Sequence, residues 1–244
     1  MLTVGVLGGM GPAATLDFMA KAIEAAGSTS EQDGVRLIVD CNPWVLDRNA
    51  AMAGVGPSPG PALAAMACGL EAAGADFLVI ACNAAHAWQG DIENATAAPF
   101  VSIVDEACRW LAARQPPGLR VGLMAAGACL ESGLYQRGLA AAGFEAITAS
   151  PDALAGFMDA LYRFKSGDLG AAPRAAMQAC AKGLIEAGAQ VILAACTEVP
   201  LLLAAEDIDV PLVDATQILA IRTVAYARGE ALPRRTIGKG RRIG

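Results

Sequence analysis

The chain has a single histidine, His86, in 244 residues. A zinc site would have to lean on cysteines, and no two of the seven are spaced as Cys-x-x-Cys, so no metal is expected. Aromatic residues make up only 5% of the sequence, too few for broad stacking surfaces against bases or sugars. The net charge of -6 argues against general nucleic-acid binding. Long apolar runs suited to a membrane are also missing. The longest charge-free run, 49–70, is broken by three prolines and four glycines. The opening "MLTVGVLGG" carries neither a basic region nor a cleavage-site pattern and reads as a first strand. Seven cysteines cannot all pair, and free thiols in the cytoplasm are the simplest account.

Acidic and basic residues are unevenly spread. Residues 228–244 carry six basic side chains against Glu230, a local charge of +5 that leaves -11 for the rest. A solvated terminus explains that tail more simply than an RNA-binding or membrane-surface arm.

Apolar residues are abundant, at 55%, and many of them are alanine, which suits helices packed closely on a sheet. Apolar runs at "LTVGVLG", "VRLIVD", "DFLVIAC", "FVSIV", "RVGLMAA", "FEAITA", "QVILAAC" and "VPLVD" read as buried strands. Alanine-rich helical stretches, such as 12–26 and 173–187, separate most of them. This alternation predicts an α/β protein with parallel sheet covered by helices.

The two halves resemble each other. "GADFLVIAC" from Gly74 and "GAQVILAAC" from Gly188 place Cys82 and Cys196 at matching positions, 114 residues apart. "VGVLGGMG" from Val4 resembles "VGLMAAGA" from Val121, and "IVDEA" from Ile103 resembles "LVDAT" from Leu212. The turn-rich "RQPPGL" lies between the halves. The reading is two similar parallel-sheet domains related by a pseudo-twofold axis, with the active site in the cleft between them. The expected division is 1–98 plus about 209–228, then 99–208, then a basic tail at 229–244. Ligands of open α/β sheets sit at the carboxyl ends of strands, where both cysteines fall.

A thiol at a strand end, followed by a helix start, can be activated by free amide hydrogens and the helix dipole. Two thiols facing one molecule suit inversion at a tetrahedral carbon: one removes a proton and the other donates one to the far face. That geometry demands no cofactor. Cys68, Cys108 and Cys180 sit in helical patterns and read as packing residues.

"GVLGGMGP" from Gly5, "DRNAAM" from Asp47, "GADFLVIACNAAHAW" from Gly74, "SGLY" from Ser132 and "ACTEVPLLL" from Ala195 together make the chain similar to the cofactor-independent aspartate/glutamate racemase superfamily, its aspartate racemase branch in particular. The resemblance runs to about Arg228. It implies catalytic thiols at Cys82 and Cys196, and a homodimer acting on a small amino acid. It further implies that Arg48 and Lys165 hold a substrate carboxylate, that Asn83 and Thr197 orient the α-carboxylate, and that Met10 and Ala84 also line the site. Asn83 and Thr197 are helix-capping residue types as well. His86 and Glu198 lie close enough in sequence to tune the two thiols, though packing alone explains His86 equally well.

The sequence departs from the family pattern at Ala84, at alanines 125, 126 and 128, and at Trp44 and Leu46. Hydroxyls expected at several of these positions are absent. A roomier, more apolar pocket follows, with Trp44 expected to control substrate range. Aspartate or glutamate is the first substrate and a less polar amino acid the second. Same-fold decarboxylation or cis-trans isomerisation, and plain amino-acid binding, are alternatives. "GMGPAA" from Gly9 also fits a dinucleotide-binding loop, with Asp40 as the ribose acid, the more distant reading of an oxidoreductase.

Overall fold

The computed structural model describes residues 1–230 and 232. The basic tail anticipated from residue 229 onward lies almost entirely outside the described residues. All eight expected strands are present, and they form two four-stranded parallel sheets. The first contains β1 (Val4–Gly8), β2 (Leu37–Cys41), β3 (Phe77–Ile80) and β4 (Phe100–Val101), in the order β2-β1-β3-β4. The second contains β5 (Arg120–Met124), β6 (Glu145–Thr148), β7 (Val191–Ala194) and β8 (Leu212–Asp214), in the order β6-β5-β7-β8. The same topology therefore occurs twice.

The helices are α1 (Pro12–Ala26), α2 (Arg48–Met52), α3 (Gly60–Ala72), α4 (Gln89–Ala95), α5 (Ile103–Arg114) and α6 (Gly127–Ser132) in the first part of the chain. They continue with α7 (Leu134–Ala141), α8 (Pro151–Lys165), α9 (Ala171–Glu186), α10 (Val199–Leu202) and α11 (Ala215–Ala227). Proline at the first position of α1 and α8 suits a helix start, where its missing N–H costs nothing.

The repeat extends to individual atoms. A side chain at Gly5 in β1 would meet Leu70, Ala75 and Leu78 at 3.1, 2.8 and 2.6 Å. One at Gly122 in β5 would meet Leu184, Ala189 and Ile192 at 3.2, 2.9 and 2.7 Å. Each neighbour in the second set lies 114 positions beyond its counterpart. Both glycines let a helix approach the centre of a sheet. Gly74 and Gly188, at φ 96° and 97°, make the same left-handed turn out of that helix.

The pairing of strands corrects one sequence likeness. Leu78 pairs with Phe100, and the equivalent Ile192 pairs with Leu212. Phe100, not Ile103, is thus the partner of Leu212 in the repeat. "IVDEA" begins a helix, while the "LVD" of "LVDAT" is a strand. The true counterparts are the caps: Ser102 accepts from Asp105 N at 3.3 Å, and Asp214 accepts from Thr216 N at 2.8 Å.

β4 completes the first sheet, although the expected boundary fell before it, and β8 closes the second sheet rather than the first. From β8 the chain crosses back, and α11 packs on α1 and α5. Leu2 N donates to the Ala227 carbonyl at 2.8 Å, and the Arg228 guanidinium donates to the Ala26 carbonyl at 2.6 Å. One core joins both sheets through α5, α7 and α11, and a second lies between the far face of the second sheet and α8 and α9.

Candidate active site

β3 ends at Ile80 and β7 at Ala194, each followed by one alanine and then a cysteine. A buried strand that stops at its carboxyl edge therefore delivers each thiol to the top of its sheet. Cys82 and Cys196 are buried, 5% and 7% exposed, and both line one chamber of about 20 Å³. Met10, Arg48, Asn83, Ala84, Lys165, Thr197 and Glu198 share that chamber. The two thiols and the six residues that the resemblance assigns to substrate binding, Met10, Arg48, Asn83, Ala84, Lys165 and Thr197, are thus brought to one place.

Glu198 is the chamber's hub. Its Oε2 accepts from the Cys196 thiol at 3.2 Å and the Thr197 hydroxyl at 3.1 Å. Its Oε1 meets Lys165 Nζ at 3.2 Å and accepts from Gly11 N at 3.3 Å. Thr197 is therefore bound to this carboxylate rather than capping a helix. Burial raises the Cys196 pKa well above the usual thiol range, and the Glu198 charge raises it further, against a smaller opposite pull from Lys165. Cys196 accordingly holds its proton. Burial disfavours the charged form of Lys165, but Glu198 and the two thiols more than offset this and its pKa is raised.

Arg48 starts α2, whose cap Asp47 accepts from Ala50 N at 2.7 Å. The guanidinium donates to the carbonyls of Val45, Leu46 and Met10 at 3.0, 2.8 and 3.4 Å. A buried cation held by carbonyls instead of by Asp47 keeps its charge uncompensated beside the chamber.

Asn83 does not cap the short helix that follows it. Its Oδ1 accepts from the Tyr135 hydroxyl at 2.6 Å, while its buried Nδ2 has no partner. A buried amide N–H₂ without an acceptor, on the wall of a chamber, is a site prepared for one. Tyr135 lies in "SGLY", a stretch noted in the sequence only as a family marker. Asn49, beside Arg48, also lines the chamber and was missed.

His86 does not reach its thiol. Its Nδ1 contacts the Cys82 carbonyl at 2.9 Å, and its Nε2 accepts from Ile103 N at 3.1 Å. The second contact fixes the neutral tautomer with Nδ1 as donor. Burial pushes the pKa down to about 4, against the raising effect of its backbone hydrogen bonds. His86 thus anchors the backbone of Cys82 to the start of α5, and the expectation that it tunes the thiol fails because both ring nitrogens are engaged.

Trp44 is 88% exposed and lines neither the chamber nor its approach, so the expected indole in the pocket is absent. The glycine loop is also not free to cradle phosphate. Gly9 N donates to Thr15 Oγ1 at 2.8 Å and Gly11 N to Glu198. At φ 89°, Gly9 lies against the Asn42 backbone, where a side chain would come within 2.4 Å. The loop packs on the end of β2 and turns its amides inward.

The halves are tied shut around the chamber. Besides the Gly11–Glu198 bond, Tyr162 donates to Asp47 at 3.2 Å and Ala128 N donates to Asn49 Oδ1 at 3.0 Å. Space on the order of one water molecule is too little for an amino acid, so substrate entry requires these contacts to part. Outside lies a vestibule of about 590 Å³ that shares Met10, Arg48, Lys165 and Glu198 with the chamber. Among the described residues no group of three or more His, Cys, Asp or Glu is placed to hold a metal, and no helix is long and apolar enough to cross a membrane.

Residues 7–223 match the family model described as Asp/Glu/Hydantoin racemase. The chain belongs to that family. It is an enzyme of the racemase type. An aspartate racemase from Picrophilus torridus has the same fold at TM-score 0.83 and 27% identity, over 96% of this chain and 96% of that one. A glutamate racemase from Francisella tularensis, in complex with D-glutamate, is similar at TM-score 0.66 and 16% identity, covering 92% of this chain and 80% of that one. Among curated proteins, the broad specificity amino-acid racemase RacX of Bacillus subtilis is 26% identical over 231 residues, 91% of this chain and 96% of the relative. The racemase family, read from five motifs, is thus the one the comparisons give.

Proposed function

We propose that this racemase inverts the α-carbon of an amino acid by a two-thiol mechanism that needs no cofactor. The observation that carries this reading is the meeting of Cys82 and Cys196 in one chamber from equivalent strand ends of a repeated fold. The substrate's α-carbon lies between the sulfurs. Cys196, kept protonated by burial and by Glu198, is the donor in the resting form. Cys82 is then the base: its thiolate takes the α-proton, and the Cys196 S–H gives a proton to the opposite face. The product leaves with inverted configuration, Cys82 protonated and Cys196 as the thiolate. The enantiomer uses the same pair in the opposite sense. Matched thiols contribute roughly 10²–10⁴-fold as acid and base.

Charge that builds on the α-carboxylate as the proton leaves is met by the unpartnered Asn83 Nδ2 and the Arg48 guanidinium. Lys165 and Thr197 act through Glu198 in the closed state, and Met10 and Ala84 shape the wall. Aspartate and glutamate, which name two of the similar structures, are the reference substrates. A homodimer in the cytoplasm completes the reading; seven free cysteines support the compartment, and family resemblance supports the dimer. The test is α-proton exchange in D₂O, followed by proton NMR without added cofactor, on both enantiomers of single amino acids. Exchange that survives in both Cys82→Ser and Cys196→Ser would refute the mechanism.

A further inference from the structure

The chamber and the vestibule differ in charge and lining. Arg48 and Lys165 bring two positive charges to the chamber and Glu198 one negative. His86 is held neutral by its two backbone contacts, and Asp47 is turned toward Ala50 and Tyr162. One thiolate, required for proton abstraction, brings the sum to zero. A zwitterionic amino acid with an uncharged side chain leaves it at zero. Aspartate or glutamate adds a second carboxylate, whereas Arg48, the chamber's cation without an acidic partner, already meets the α-carboxylate and Lys165 lies against Glu198 at 3.2 Å.

The vestibule begins where the chamber ends and is walled mainly by apolar groups, with Pro12, Ala13, Pro43, Phe164 and Leu169 around the mouth. At about 590 Å³ it has the size of a small-molecule subsite. Alanines at 84 and 126 make those parts of the inner wall apolar as well, and the Thr197 hydroxyl is already engaged by Glu198.

We infer that the vestibule is a side-chain subsite, and that amino acids with a large uncharged side chain are turned over in preference to the acidic ones. This rests on the racemase reading and narrows it. The α-carbon stays between the thiols while the side chain passes Met10 and Lys165 to lie against Phe164 and Leu169. Each methylene placed on an apolar wall discriminates by about tenfold or more.

The experiment compares α-proton exchange in D₂O for aspartate, glutamate, leucine and phenylalanine. The expected result is kcat/KM for leucine or phenylalanine at least about tenfold above aspartate. Ala13→Trp, which fills the mouth, should lower the phenylalanine-to-aspartate ratio by about tenfold or more. Leu169 is 69% exposed, so Leu169→Arg should fold normally, and its added cation should move the same ratio toward aspartate. Aspartate exchanging as fast as leucine and phenylalanine, or a ratio unmoved by both variants, overturns the subsite and leaves the racemase standing. Absence of exchange with every amino acid overturns both.

Discussion

The Tyr135 hydroxyl, from the second half of the chain, donates to Oδ1 of Asn83 in the first half at 2.6 Å and so decides which end of that amide faces the chamber. Tyr135→Phe leaves Oδ1 unsatisfied and lets the amide turn over. Stability should fall by about 1–3 kcal/mol in urea denaturation. KM should rise more than kcat falls, because the amide then presents an acceptor to a carboxylate. In a double-mutant cycle with Asn83→Ala the two losses should not add, with a coupling of about 1 kcal/mol or more. Equal, additive losses with unchanged KM would reduce Tyr135 to a packing residue.

His86 makes a pH prediction with a definite sign. Its pKa is lowered from 6.5 to about 4 in the folded chain, so the unfolded chain binds the proton more readily. The stability it contributes is complete above pH 6.5 and is lost as pH falls toward 4, by roughly 3 kcal/mol. Thermal denaturation across that window should show a steeper acid loss for the wild type than for His86→Gln. Parallel curves would mean that the imidazole is not buried neutral.

Much of the fold was legible because buried parallel strands write themselves as short apolar runs, and all eight were placed. The order of strands within the sheets was not, because β4 and β8 are two and three residues long and their neighbours look alike. That is why "IVDEA" was aligned on "LVDAT" three positions out of register. That Cys82 and Cys196 share one chamber was legible from the internal repeat, and Arg48 beside them from the family resemblance. The site was illegible where the role depends on a distant partner. Nothing local distinguishes Tyr135 from a core tyrosine, and Trp44 next to a site motif gave no sign that its ring faces solvent. His86 lies four residues from Cys82, yet the Ile103 amide, 17 residues away, fixes its role.

The duplication predicts paired sensitivity at Gly5 and Gly122. Alanine at either forces a methyl to 2.6 or 2.7 Å from a side chain of the next strand and to 2.8 or 2.9 Å from the alanine in the turn before it. Such overpacking costs about 1–3 kcal/mol. Gly5→Ala and Gly122→Ala should destabilise by similar amounts, measured by chemical denaturation, and the double variant should lose close to the sum because the sites share no neighbour. A large loss at one and none at the other would mean that the two sheets are not packed alike.

Glu198 supplies the sharpest test of how the donor is kept protonated. Burial raises the Cys196 pKa and the Glu198 carboxylate adds to it, while Lys165 opposes both. Glu198→Gln removes the like charge and leaves Lys165 without its partner, so both changes lower the thiol's pKa. Cys196 should then react with iodoacetamide at lower pH than in the wild type, and the alkaline fall of kcat/KM, where the donor loses its proton, should move in the same direction. Lys165→Met should do the reverse, because the charge that opposes Glu198 is gone. The two variants must therefore shift the profile to opposite sides of the wild type. A common direction for both would mean that the carboxylate positions the thiol sterically and does not set its proton affinity.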